Sequence, residues 1–199
     1  MSDVSTRTVK YLAEVARTLE VMEKDLPYKS EQIISELVKA RDSGKRVYIC
    51  GNGGSAATAS HMASDLNKGA NRKDSPRFRA VALTDNIPAM LAWANDSSYD
   101  DIFVEQLKNH LEKDDVVIGI SGSGNSPNVL KAMHYANDKG ALTIGLTGFD
   151  GGKMAQLAKI CYTVPSNCMQ QVEDIHLLIE HLFSLILRDS AECAQAKKG

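Results

Sequence analysis

Residues 46–66 read RVYICGNGGSAATASHMASDL. Val47, Tyr48 and Ile49 are β-branched or aromatic and suit a strand. Gly51-Asn52-Gly53-Gly54-Ser55 breaks that run. Ala56, Ala59, Met62, Ala63 and Leu66 then recur at helical spacing. A strand, a glycine turn and a helix in this order form the first half of a β–α–β unit, so the fold is sought by looking for further units on either side.

They are present. Strand-like runs recur at Arg79–Leu83, Asp115–Ile120, Leu142–Leu146 and Ile160–Val164, beside the first at Arg46–Cys50. Helical patterns at 54–67, 86–94, 99–112 and 126–139 alternate with them, and Ser126-Pro127 supplies a cap and a first-turn proline for the last. Two amphipathic helices, 5–25 and 30–43, come before, and one at 169–190 comes after. The alternation predicts an α/β fold: a three-layer sandwich around a five-stranded parallel sheet, doubly wound as in flavodoxin. A single domain is expected over 1–199. It comprises N-terminal helices (1–45), an α/β core (46–165), a C-terminal helix (166–190) and an exposed, frayed tail (191–199). The amphipathic terminal helices are candidates for an oligomer interface.

Composition narrows the function classes. The 199 residues carry a formal charge of −2 and are 43% hydrophobic, enough for a core without disulfides. Near-neutral charge argues against nucleic acid as the main partner. Lys68, Arg72, Lys73, Arg77 and Arg79 form a basic segment that reads as a solvated loop or as a guard for an anionic ligand. The start, MSDVSTRTVK, lacks the apolar stretch of a secretory signal, and no window is apolar enough for a membrane span. Cys50, Cys161, Cys168 and Cys193 are widely spaced, as reduced cytoplasmic thiols are.

Two loops have the composition of phosphate cradles. Residues 51–55 offer glycine backbone and a helix start to an anion. Ser121-Gly122-Ser123-Gly124-Asn125-Ser126 adds hydroxyls and also stands between a strand and a helix. Both are expected on the rim formed by the strand C-terminal ends, where open α/β sheets bind ligands. Neither closes with the Gly-Lys-Ser/Thr of a nucleotide loop. Gly51-x-Gly53-x-x-Ala56 fits a relaxed dinucleotide pattern, but the acid it needs would have to be Asp74, in the charged loop NRKDSP. No nucleotide cofactor is expected.

His61 and Asp65, four residues apart, are neighbours on the flank of the first crossover helix. The C-terminal helix carries Glu173, Asp174, His176, Glu180 and His181 on the stripe left by its apolar residues. Two readings stand for that stripe: the wet outer face of a terminal helix, or donors for general acid–base work or a divalent metal. About 12 Å of helix rise separates Glu173 from His181, so one metal would need extended side chains or two subunits.

Together CGNGGSAATASHMASDL, ANDSSYDDIF (94–103), ISGSGNSPNVLKA (120–132), LTGFDGGKMAQLA (146–158) and VEDIHLLIEH (172–181) resemble, in order, the segments of SIS (sugar isomerase) domains of the phosphoheptose isomerase type. The resemblance covers nearly the whole chain. It implies conversion of sedoheptulose 7-phosphate to an aldoheptose 7-phosphate through an enediol, in a cytoplasmic homotetramer with sites at subunit contacts. It implies substrate binding by Asn52, Gly53, Gly54, Ser55, Asp65, Asn95, Asp96, Ser121, Gly122, Ser123, Ser126 and Glu173. It further implies Asp65 and His181 as the proton-transfer pair, and a divalent metal, zinc, on His61, Asp65, Glu173 and His181. The chain departs from the family pattern at Asp65 (usually glutamate), Glu173 (usually glutamine) and Gly122 (usually threonine), and an arginine usual just after Asp65 is missing. Other readings are an isomerase of another sugar phosphate, or a non-catalytic SIS protein that binds a phosphosugar or a partner, as those associated with replication initiators do.

Overall fold

The computed structural model describes the backbone of residues 2–71 and 75–196. Arg72, Lys73 and Asp74, which hold part of the basic segment and the only acid considered for a ribose, lie outside the described residues. Strands β1 (Arg46–Gly51), β2 (Arg79–Ala82), β3 (Val116–Ile120), β4 (Leu142–Thr147) and β5 (Ile160–Thr163) form one sheet in the order β2-β1-β3-β4-β5. Every pairing is parallel, with Ile49 opposite both Ala82 and Ile118, and Ile118 opposite Ile144.

Alternate strand residues feed two cores because side chains alternate across a strand. Val47, Ile49, Val116, Ile118, Ile120, Ile144 and Leu146 pack on one face with α2 (Leu26–Asp42), α3 (Gly54–Ser64) and α8 (Met169–Ala196). Tyr48, Cys50 and Val117 pack on the other with α5 (Val104–His110), α6 (Pro127–Asp138) and α7 (Met154–Leu157). The three expected layers result. α1 (Ser2–Met22) precedes them, and α4 (Ile87–Asp96) follows β2 with no fully buried residue.

Several boundaries differ from those expected, each for a local reason. The second helix begins at Leu26 rather than near residue 30, because Pro27 sits in its first turn, where a missing N–H costs nothing. The span 99–112 is not one helix. Ser97 donates to Asp101 and Ser98 accepts from the Asp100 N–H, tightening Tyr99–Asp101 into a 3-10 turn before α5 begins at Val104. Beyond Ser64 the first crossover helix widens into a π-helical turn, Asp65–Gly69, closed by the Ala70 N–H on the Asp65 carbonyl at 2.8 Å. The short α7 was not expected, and α8 is helical to Ala196.

α3 and α8 lie side by side and run in the same direction. Gly54 faces Glu173, His61 faces His181, and Gly69 at the end of the π turn faces Ser184. This pairing brings together residues at two distant places in the chain.

Candidate active site

The first loop follows β1. Gly53 has φ +56°, a conformation that side chains with a Cβ disfavour, and its carbonyl accepts the N–H groups of Ala56 and Ala57 to start α3. Asn52 is fixed by a reciprocal amide pair with buried Asn128, 2.9 Å in each direction, and it also accepts the Tyr99 hydroxyl at 3.1 Å. Asn128 was not anticipated from sequence. It stands one residue after the first-turn proline of α6, where nothing in the local pattern marks a long-range partner.

The second loop follows β3, the neighbour of β1, so both loops share the carboxyl rim of the sheet. Ser121 and Ser126 hydroxyls hydrogen-bond each other at 3.0 Å, and the Ser123 hydroxyl accepts the Asn125 N–H. Ser126 occupies the cap position of α6 but makes no side-chain cap, in contrast to expectation; its hydroxyl is turned inward to Ser121. Gly124 has φ +64°, and a Cβ there would come within 2.0 Å of the Gly151 carbonyl oxygen. The loop is thus pressed against the turn after β4. Gly122 lies against Met169 and Val172 at the start of α8.

Glu173 belongs to this loop region. Its carboxylate covers the first turn of α3 so closely that a Cβ at Gly54 would stand 2.6 Å from Oε1. An acid at a helix N-terminus is favourably placed against the helix dipole. Ser55 is buried beside it in sequence, while Asn95 and Asp96 at the exposed end of α4 hydrogen-bond each other at 2.7 Å rather than either loop.

Two turns further along the helix pair lies a second group. His61 Nε2 and His181 Nε2 are 3.3 Å apart, their rings edge to face. Asp65 Oδ1 is 3.9 Å from His61 Nε2, and Glu180 Oε2 is 3.5 Å from His181 Nε2. One donor atom from each of these four residues lies within 4.8 Å of the others. Both histidines are partly exposed, Asp65 is half-buried, and Glu180 is only 1% exposed. Neither carboxyl oxygen of Glu180 has a hydrogen-bond partner. Burial, and then the nearby Asp65 carboxylate, push its pKa up to about 8. Two imidazoles and two carboxyl groups suit a divalent ion, and orphaned buried oxygens of this kind are what such an ion would satisfy.

The structure therefore brings His61, Asp65 and His181 together as expected from the resemblance, but not Glu173. Two helical turns place that acid at Gly54. The polar stripe of α8 is also not a wet outer face: His176 and Glu180 are buried against α3 and the sheet. His176 Nε2 donates to the Thr147 carbonyl at 3.0 Å, and its Nδ1 is buried without a partner. Burial lowers its pKa to about 4. Glu173, His176 and Glu180 stand at i, i+3 and i+7, so their shared face was legible, whereas its burial needed α3 in place.

A doubly wound parallel sheet with glycine- and serine-rich loops on one rim defines an α/β domain of the kind that takes ligands at its strand ends, and the family model described as SIS domain matches residues 10–148; the chain belongs to that family. Its relatives are phosphoheptose isomerases. The chain is 41% identical to that of Aliarcobacter butzleri over 173 residues, covering 87% of this chain and 89% of the relative. It is 42% identical to that of Rhodospirillum rubrum over 148 residues, 74% and 78% of the two chains. Among solved structures, the phosphoheptose isomerase of Neisseria gonorrhoeae superposes with a TM-score of 0.86 at 32% identity, over 92% of this chain and 98% of that one.

Proposed function

We propose that the protein is an aldose–ketose isomerase that converts sedoheptulose 7-phosphate into a D-glycero-heptose 7-phosphate. One observation carries the reading: in a chain closely related to phosphoheptose isomerases, His61, Asp65 and His181 converge one helix-length from the phosphate-type loops.

The serine loop, Ser121, Gly122, Ser123 and Ser126, takes the phosphate. The first loop's helix start already faces the carboxylate of Glu173, which would repel a second anion there. Asn52, Gly53, Gly54 and Ser55 line the sugar, with Asn95 and Asp96 contributing from α4. Isomerisation removes a proton from C1, passes through an enediol and returns a proton to C2, while a hydroxyl proton moves between O1 and O2. Asp65 and His181 divide these transfers. Asp65 keeps a second carboxylate oxygen to take and return the carbon-bound proton, while a metal-held His181 carries a proton on its second ring nitrogen and would serve as the donor toward the sugar oxygens. A divalent cation, zinc, at the histidine–carboxylate group would supply positive charge for the oxyanion that develops.

Two further features suit a cytoplasmic homotetramer. Cys50, Cys161 and Cys168 are free thiols, as expected in a reducing compartment, and no helix among the described residues is long and apolar enough to cross a membrane. An apolar groove of about 740 Å³ lined by Leu19, Met22, Leu26, Ile34, Leu178 and Leu182 lies open between α1, α2 and α8, as a face awaiting other subunits would.

The test is incubation of purified protein with sedoheptulose 7-phosphate, with and without added divalent metal, followed by NMR. Aldoheptose signals are expected to grow in. Binding of the sugar phosphate with no turnover under any metal condition would replace the isomerase with a phosphosugar-binding role.

A further inference from the structure

The buried acid on α8 has no counterpart among the residues assigned so far. Glu180 is shielded from solvent, both its oxygens lack hydrogen bonds, and it points into the same small volume as His61, Asp65 and His181. A carboxyl group so placed is costly unless something pairs with it. Its packing explains nothing by itself, since an apolar side chain would fill the same space without that cost.

The distances discriminate between the two acids of α8. Ligands about 2.0–2.2 Å from a tetrahedral ion stand about 3.3–3.6 Å from one another. The separations here are 3.3 Å (His61 to His181), 3.5 Å (His181 to Glu180) and 3.9 Å (His61 to Asp65), so three edges of such a figure are nearly in place. Two neutral imidazoles and two carboxylates would also balance a doubly charged ion. Glu173 would balance the charge equally but lacks the geometry: it is two turns away along α8, with its carboxylate over Gly54.

We infer that Glu180, and not Glu173, is the fourth protein ligand of a divalent metal held with His61, Asp65 and His181. Four protein donors close the inner shell when all are engaged, so substrate reaches the ion only by entering beside them or displacing one. Asp65 and Glu180 come from different helices, so the ion also ties α3 to α8. Glu173 is left to act at the glycine loop. This inference rests on the metal-assisted isomerase reading for its purpose, but not for its test.

The experiment reads metal directly. Wild-type protein, E180Q and E173A are stripped with chelator, reloaded with zinc, and assayed for stoichiometry by elemental analysis and for affinity by competition with a chromophoric chelator. The wild type is expected to hold one zinc per chain. E180Q should bind at least ~10-fold more weakly, and E173A, which leaves no donor at that position, should match the wild type. Circular dichroism checks that each variant is folded. If E180Q does not fold, E173A decides: retained affinity supports the assignment, lost affinity overturns it. Equal zinc affinity in E180Q and wild type, or a wild type that holds no metal, also overturns it. Loss of zinc from E180Q in a protein that never turns over sedoheptulose 7-phosphate would leave the ligand assignment standing and remove the substrate instead.

Discussion

His176 and His181 are five residues apart on one helix and do opposite things. His181 is partly exposed and faces His61, whereas His176 is buried, donates to Thr147 and is held neutral by its surroundings. The first carries a prediction about rate. His181→Ala should lower kcat by ~10²–10⁴-fold, the usual contribution of a positioned acid or base, and leave secondary structure and oligomer size unchanged. A variant with wild-type kcat would show that proton transfer lies elsewhere. The second carries a prediction about stability. His176 titrates near 6.5 when unfolded and at about 4 when folded, so between those values the unfolded chain binds more protons. Its contribution is complete above about pH 6.5 and is lost as the pH falls toward 4, at up to about 1.4 kcal/mol per pH unit. His176→Gln keeps a donor for Thr147 and cannot take up that proton. Denaturant titrations at pH 7 and pH 5 should show a smaller loss for the variant than for the wild type; equal losses would remove His176 as the cause. Sequence marked both histidines as polar residues on one stripe. What separates them is whether α3 or the sheet lies opposite, and no local pattern encodes that.

At the level of elements, the serine loop depends on a backbone contact rather than on its hydroxyls alone. Gly124 touches the turn at Gly151, its carbonyl accepts the Met154 N–H at 3.0 Å, and Asn125 accepts the Lys153 N–H. Gly124→Ala would need both a left-handed backbone and a displaced Gly151. A loss of ~2–4 kcal/mol is expected, from left-handed strain together with overpacking. Chemical denaturation reads it, and a KM for sugar phosphate raised by tenfold or more should accompany it. Unchanged stability would mean the two turns part without cost. The strands and crossover helices were readable because their periods are local, and so was the position of the two loops at strand ends. The π turn after Ser64 was not. It begins at Asp65 and ends with Gly69 close to Ser184 of α8, a neighbour distant in sequence. The place of Glu173 over Gly54 was not legible for a related reason: the stagger between α3 and α8 is fixed by tertiary packing.

Over the whole molecule, the five-stranded sheet and the family could be anticipated because five motifs stand in sequence along one chain, three of them at strand ends. Assembly is written less plainly. The arc of apolar residues on α8 divides in the fold: Val172, Ile175, Ile179 and Phe183 enter the core, while Leu178 and Leu185 are exposed. Leu178 lines the open groove with α1 and α2, and Val4, Val9 and Leu12 leave α1 similarly bare. Leu178→Glu should therefore spare the folding of a single chain and place a charge in any subunit contact formed there. Light scattering coupled to size exclusion is expected to report a tetramer for the wild type and smaller species for the variant. A tetrameric variant would move the contact to another face.

The meeting of His61 with His181 spans 120 residues of chain. All five strands are complete by Thr163, before the second of these histidines has been synthesised. A growing chain can thus assemble its sheet and both loops early, as domains commonly do during translation, yet it holds only half of its reacting groups until the last helix docks. Chemistry begins only with a finished polypeptide: a chain cut just before α8 would lack His181 and would also bare the sheet face that Val172, Ile175, Ile179 and Phe183 cover.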